Sequence, residues 1–551
     1  MNQSGRAAED PDLGAMTANG ATTSHAAVAV DEPSATKTTH RIPDVASWPP
    51  ARRNLWLLVA VAVCFAVFEL LIIGLRYEYT SDEAIYLSQL NPLVPNYDWA
   101  AWRAWGMPVL GAPVAVTDAP LSIVRLYFVL LSSGGLFLAF RPWLGLSKRP
   151  LVPIAAAVFA STAVAVYNGS LALPNFYSAL AAIAATGYFM ACRRGVDGYR
   201  RSVVGLAAAV ALAALVRPSD SLWLVAPLGL VWLALYVWRR RAIVVAIVVG
   251  QIIGWAPWVI ESFARFGGPL SRLRLSAASL GGTHVYPDLS LVRVYVRLWS
   301  SGDVAAVSLN VPPKLRGGAA TIATHHLSAI SVVATIWWAA AAGAIILAIL
   351  GVVLARWDTE GIGRLVLIPL LVGLSVGFPY LFMMRYAQLR FLLPAVGLLA
   401  LPIAYGVLQL GSLRIPPLRA LGPTLAVALV LALIGIQMAN APQYSSPVSR
   451  SNAFYSSIVQ QLRDEGISGP CAVGGDGSFS VAYQVGCHSL NAIRPASVEP
   501  ASVTSARSRG ESVAIVLKTA PRAGTFLDQW RSILVQIPGS TKHGHVYLAP
   551  K

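Results

Sequence analysis

The sequence predicts an α-helical polytopic membrane protein of about eleven transmembrane helices with a small C-terminal extracytoplasmic α/β domain. Three observations predict it. Of 551 residues, 56% are hydrophobic and only 12% charged, whereas an ordinary soluble domain carries about 25% charged residues. Apolar runs recur from residue 55 to residue 438, each near the ~20 residues that a bilayer requires. After residue 440 the hydropathy drops, and short strand-like runs alternate with short helical patterns.

The elements follow in order. Residues 1–48 are rich in Ala, Thr, Ser, Asp and Pro and read as a disordered cytoplasmic tail. No apolar segment begins before residue 54, so they are not a signal peptide. The candidate spans are 55–75, 121–140, 151–167, 174–192, 202–217, 221–238, 242–260, 328–355, 364–382, 391–410 and 420–438. Residues 49–440 thus form the transmembrane part, with long outer loops 76–120 and 261–327, and residues 441–551 the extracytoplasmic domain. Arginine and lysine cluster in alternate short loops, as in Arg193/Arg194/Arg200/Arg201 and Arg239/Arg240/Arg241. Together with Arg52/Arg53 these belong on the cytoplasmic side of a plasma membrane. The formal charge of +17 is therefore topological. It is not the continuous basic face of a nucleic-acid binder, and nucleic acid is excluded as a partner.

In the last region Asn452 to Glu465 reads as a helix. Cys471–Gly474, Ser512–Leu517, Ile533–Ile537 and Val546–Ala549 read as strands, and 478–485 and 524–531 as short helices. Gly474-Gly475-Asp476-Gly477 reads as a tight turn, because it lacks the spacing and the lysine of a phosphate loop. Cys471 and Cys487 are disulfide candidates in an oxidising compartment, with two buried thiols as the alternative.

Candidate chemistry gathers at the outer ends of spans. Glu78 to Glu83 places three carboxylates in six residues of an acid-poor chain. Thr80-Ser81-Asp82-Glu83 fits a capping box with Thr80 as N-cap and Glu83 at N3. Successive helical side chains point about 100° apart, so one acid can face a cavity while the other positions it. The residues alone leave both readings open: a helix cap, or a base that takes a proton from an acceptor hydroxyl. Asp118, ahead of Pro120, reads either as an N-cap or as a site residue that can approach Asp82. Arg385 and Arg390 at an outer helix end suit a phosphate, since guanidinium forks bind it bidentately, or a lipid headgroup, and Arg217 at another outer end either joins them or snorkels to the surface. Arg293 and Arg297 recur four apart in Leu289–Trp299, as in a helix lying in the headgroup plane or a solvated surface helix. His284, His325 and His326 lack metal-ligand spacing. No cofactor is read with certainty, and a divalent cation is left open.

With these residues the chain resembles the GT-C superfamily of membrane glycosyltransferases, in the branch of the protein O-mannosyltransferases and lipid A aminoarabinose transferases. The resemblance rests on Asp82-Glu83 followed by Tyr86 after the first span and on Asp118-Ala119-Pro120-Leu121 opening the second. Leu173-Pro174-Asn175-Phe176-Tyr177 and Arg390-Phe391-Leu392-Leu393-Pro394 complete it. It implies an inverting transferase that moves a sugar from a polyprenyl phosphate to a hydroxyl of a cell-envelope glycan, lipid or protein. It makes Asp82 the base with Glu83 beside it, and Asp118 and Tyr86 acceptor- or donor-site candidates. Asp118-Ala119 stands where relatives carry a basic or His residue, so the acceptor is left undefined. The Ala/Val/Arg-rich composition is similar to that of actinobacterial relatives, which makes mannose or arabinose the sugar to test first. Two rival readings remain: a transporter or flippase of a lipid-linked saccharide, which predicts charges buried within spans, and a non-catalytic envelope scaffold. Very few charges are read within the spans, with Glu69 the main one.

Overall fold

The first span forms as α1 (Pro50–Ile72), with Pro50 at the first helical position, where its missing N–H costs nothing. It stops at Gly74, whose left-handed backbone lets the N–H groups of Ile73 and Gly74 both return to the Glu69 carbonyl. The computed structural model describes residues 49–193, 198–279, 286–289, 339–346, 348–350, 363–384, 389–412, 421–467, 469–536 and 543–550. The N-terminal tail, Arg385, the three loop histidines, and most of loop 261–327 and of the span at 328–355 lie outside the described residues.

Beyond α1 the membrane part continues through α2 (Ser81–Ser88), α3 (Gly106–Ala115), α4 (Leu121–Phe140), α5 (Leu151–Ala160), α6 (Ala163–Gly169) and α7 (Pro174–Ala191). Then come α8 (Tyr199–Val216), α9 (Pro218–Ala234), α10 (Arg241–Arg265), α11 (Pro269–Ser279), α12 (Gly363–Phe382) and α13 (Leu393–Gly411). Seven described helices are long and apolar enough to cross a membrane, or eight if α5 and α6, bent by 76° at their junction, form one broken span. The expected span at 151–167 is that broken pair, and α9 at 17 residues is shorter than a full crossing helix. Helix pairing follows small residues: a side chain at Gly250 or Gly254 of α10 would strike the Ala207 or Ala211 carbonyl of α8. This is the close approach that glycine four apart permits between membrane helices.

The largest departure from expectation lies at the end of the membrane part. The expected span 420–438 and the expected helix Asn452–Glu465 are one continuous helix, α14 (Leu421–Asp464), of 44 residues. At 1.5 Å per residue it runs about 66 Å, more than twice the apolar core of a bilayer. The drop in hydropathy at residue 440 marks a change of surroundings, not a break in the backbone.

This helix leads into a five-stranded sheet of order β2-β1-β3-β5-β4. Strands β1 (Cys471–Gly475), β2 (His488–Ser489) and β3 (Ser512–Leu517) are parallel, and β5 (His543–Leu548) and β4 (Arg531–Gln536) add antiparallel. Helices α15 (Ser478–Val485) and α16 (Ala501–Ser508) complete this part. Strand β2 and α16 carry too few apolar residues for a sequence pattern to mark them. Cys471 and Cys487 are joined by a disulfide. Helix α15 packs on α2, so this C-terminal part lies on the side of the membrane where loop 76–120 emerges.

Candidate active site

The site is built on the short helix α2. Its capping box is complete: the Thr80 hydroxyl accepts from the Glu83 N–H at 3.3 Å, and Glu83 Oε2 accepts from the Thr80 N–H at 2.9 Å. Glu83 does more than cap. Its oxygens also accept from Arg125 Nη1 at 2.5 Å, Arg125 Nη2 at 3.2 Å and the Ala172 N–H at 2.9 Å. Both side chains are fully buried. Arg125 comes from α4 and also donates to the carbonyls of Tyr77, Glu78 and Ser170. Glu83 and Arg125 thus tie the start of α2 to α4 and to the turn before α7. A buried pair of this kind is tolerated only when its remaining hydrogen-bonding capacity is filled, as it is here.

Asp82 points elsewhere, as adjacent helical positions must. Its side chain is 36% exposed and meets Arg103 Nη2 at 2.8 Å and Arg390 Nη2 at 3.0 Å. Burial works against its charge, but the Arg103 and Arg390 guanidinium groups outweigh that and hold the carboxyl well below the usual carboxylate range. Neither arginine is used up by Asp82. The Nε–H of each is buried with no partner among the described residues. Arg103 also lies over the Tyr86 ring, 4.8 Å from its centroid, and Tyr86 stacks edge-on against Trp99. The backbone that presents Arg103 is fixed from α11. Arg272, fully buried, donates to the carbonyls of Ala101 and Arg103 and pairs with Glu261 of α10 at 2.8 Å.

Arg217 sits at the start of α9, paired with Asp220 at 3.0 Å. It donates to the Tyr380 hydroxyl at 2.6 Å, and that hydroxyl in turn donates to Asp220. Its guanidinium covers the Phe391 ring, next in sequence to Arg390. Asp220 already neutralises Arg217, so its charge is less free than that of Arg103 or Arg390.

Among the residues expected from sequence, the structure brings together Asp82, Tyr86 and Arg390, with Arg217 beside them. Glu83 is adjacent but sealed off. Among the described residues Asp118 shares no bonded partner with Asp82, and it does not cap α4, whose N-cap is Pro120. It is instead the left-handed residue that closes α3, at φ 45°. The Asp118 N–H returns to Ala115 and the Ala119 N–H to Val114, the hydrogen-bond pair of a Schellman turn. Its carboxylate accepts from Asn91 at 2.8 Å. Sequence reasoning missed Arg103, Arg125 and Arg272. Arg125 carried a signal, since a lone arginine inside an apolar span is costly and so marks a partner. Arg103 and Arg272 carried none, because their partners are backbone carbonyls and acids from other elements. Among the described residues no three His, Cys, Asp or Glu side chains gather as metal ligands.

No protein-family model and no curated protein matches this sequence. Among solved structures the chain is similar to ArnT from Cupriavidus metallidurans bound to undecaprenyl phosphate, at 13% identity and a TM-score of 0.54, over 90% of this chain and 99% of that one. Lesser similarity extends to the apo oligosaccharyltransferase of Archaeoglobus fulgidus, at 14% identity and a TM-score of 0.46 over 84% of this chain and 69% of that one. It extends also to the arabinofuranosyltransferase AftD from mycobacteria, at 14% identity and a TM-score of 0.44 over 89% of this chain and 41% of that one. The apolar helices, the small C-terminal sheet and the likeness to ArnT agree: this chain is a multi-pass membrane protein with the GT-C fold.

Proposed function

We propose that this protein is an inverting glycosyltransferase. It moves a sugar from a polyprenyl-phosphate donor to a hydroxyl of a cell-envelope glycan, lipid or protein on the outer face of the plasma membrane. The observation that carries the reading is the Asp82 carboxylate, partly exposed and shared by two arginines whose Nε–H groups have no partner among the described residues. In this reading Arg103 and Arg390 receive the donor phosphate, which matches their planar forks. Asp82 receives the proton of the acceptor hydroxyl while that oxygen attacks the anomeric carbon. The sugar–oxygen bond to phosphate breaks on the opposite face, and polyprenyl phosphate leaves with its new negative charge on the two guanidinium groups. One base and a good leaving group suffice for a single inverting displacement.

The paired arginines couple these events. A carboxylate held far down in acidity is a poor base. A phosphate that engages the same guanidinium groups draws their charge away from Asp82 and raises its basicity. The base is therefore armed only when the donor is present. Support for a lipid-phosphate donor comes from the GT-C fold, since ArnT of that fold binds undecaprenyl phosphate. The positive-inside charges support a cytoplasmic N-terminus and an outer site, with residues 441–551 as an extracytoplasmic domain. Mannose and arabinose are the sugars to test first.

The experiment is transfer in proteoliposomes from radiolabelled polyprenyl-phosphate sugars to extracted envelope acceptors, comparing wild type with Asp82→Asn. The expected result is transfer by the wild type alone. Equal transfer by both proteins overturns the assignment of the base. Movement of labelled lipid between leaflets without any transfer favours a flippase instead.

A further inference from the structure

Three consecutive backbone carbonyls lead into α2, and a distant side chain holds each of them. The Tyr77 carbonyl accepts from Arg125 Nε at 2.8 Å, and the Glu78 carbonyl from Arg125 Nη2 at 2.9 Å. The Tyr79 carbonyl accepts from the hydroxyl of Ser480, 401 residues away on α15. Ser480 is 1% exposed, so water cannot replace its hydroxyl without a local opening. The Glu78 carboxylate accepts from Ser456 Oγ at 2.5 Å. The Tyr79 ring meets Tyr483 edge-on with centroids 4.9 Å apart. Past α2, the Tyr97 hydroxyl donates to the Cys487 carbonyl at 3.1 Å.

The segment before Asp82 is therefore clamped from two directions. Arg125 holds it from the membrane helices, and the C-terminal part holds it from above. Helix α2 has only 8 residues, and Asp82 lies two past the N-cap. A rotation of the backbone at Tyr79 and Thr80 would swing the carboxylate away from Arg103 and Arg390. Arg125 holds the chain at residues 77 and 78 and again at Glu83, but none of its donors reaches the Tyr79 carbonyl, which Ser480 holds. The disulfide between Cys471 and Cys487 ties the end of α15 back to β1 and keeps the upper jaw in one piece.

We infer that the C-terminal α/β part is a positioning element of the transfer site, with Ser480 and Ser456 as positioning residues that act on Asp82 through Tyr79 and Glu78. This rests on the reading of Asp82 given above. The part does not need to touch the sugar to be required for transfer.

The test uses the full-length protein in nanodiscs with two readouts: transfer kinetics, and amide hydrogen exchange followed by mass spectrometry. In the Ser456→Ala/Ser480→Ala variant, kcat falls about tenfold while the KM for lipid donor stays within about twofold, the pattern of a misaimed group and not of lost binding. Amide exchange across residues 79–90 accelerates, while residues 471–475 and 512–517 stay protected, so the sheet remains folded. Tyr97→Phe keeps the ring and removes one hydroxyl bond, and gives a smaller loss of about threefold in kcat alone. Unchanged exchange at 79–90, or unchanged kcat despite faster exchange, overturns the inference while leaving the transferase reading intact. Absence of transfer by the wild-type protein overturns the transferase reading and this inference with it, and the exchange data then still report whether the clamp exists.

Discussion

Asp82 and Glu83 are neighbours of the same chemical type, each paired with arginine, yet their surroundings oppose each other. Glu83 is fully buried with Arg125, and its oxygens are filled by side-chain and backbone donors. Asp82 is 36% exposed and faces two arginines whose Nε–H groups have no partner among the described residues. The difference teaches that a carboxylate's role is set by what capacity is left around it, not by the presence of an ion pair. A saturated pair holds backbone in place. An unsaturated pair around a partly exposed carboxylate has capacity left for a ligand.

The contrast can be broken at either end. The largest expected effect is on transfer: Asp82→Asn lowers its rate by about 10³-fold, within the range for loss of a general base. Binding of polyprenyl phosphate, measured by native mass spectrometry, tightens because a competing anion has gone. Glu83→Gln acts on the fold instead and destabilises by about 3–5 kcal/mol, since it leaves Arg125 buried without its counter-charge. Thermal unfolding in detergent reads this, and adding Arg125→Met in the same chain recovers part of the loss. If Glu83→Gln kept full stability while losing transfer, the division of roles between the two acids would be reversed.

Smaller effects sharpen the comparison. Arg390→Lys keeps the charge but loses the fork, and weakens donor binding by about tenfold in a titration with labelled lipid phosphate. Asp118→Leu places a branched side chain at a left-handed position and destabilises by about 1–2 kcal/mol. Asp118→Gly escapes that strain, which a paired melting experiment separates. The smallest effect concerns acid. The Asp82 carboxyl is held below its unfolded value, so its contribution to stability is fully present above the ordinary carboxylate range and is lost as pH falls from there to its lower folded value. Between about pH 5 and pH 8 the melting temperature of wild type relative to Asp82→Asn therefore stays constant. A difference that failed to shrink as pH falls below about 4 would show that the arginines do not hold Asp82 as described.

Much of this was legible in the sequence where the controlling forces are local. The capping box at Thr80 and Glu83 forms as read, because its partners lie within one helical turn. The separation of the two acids follows from helical geometry alone. Strands β1 and β3 are legible because each is a short apolar run, β-branched in β3 and closed by glycines in β1. The continuity of α14 was not legible, since hydropathy reports the surroundings of a helix and not its hydrogen-bonded backbone. Asp118, which in the sequence suits either the start of α4 or the site, instead closes α3. Short polar residues serve both positions, and only the backbone angle distinguishes them.

What the sequence by itself determined is the solvent of each segment and the local fold of α2. Apolar length and alternating charge set the spans, and side-chain-to-backbone bonds three residues apart set the helix start. The tertiary structure alone decided which acid is open. Asp82 meets Arg103 from 21 positions away and Arg390 from 308, while Glu83 meets Arg125 from 42. Those pairings depend on how helices pack after they have formed. The energies that choose among them come from burial and unmet hydrogen bonds, which no short stretch of sequence contains.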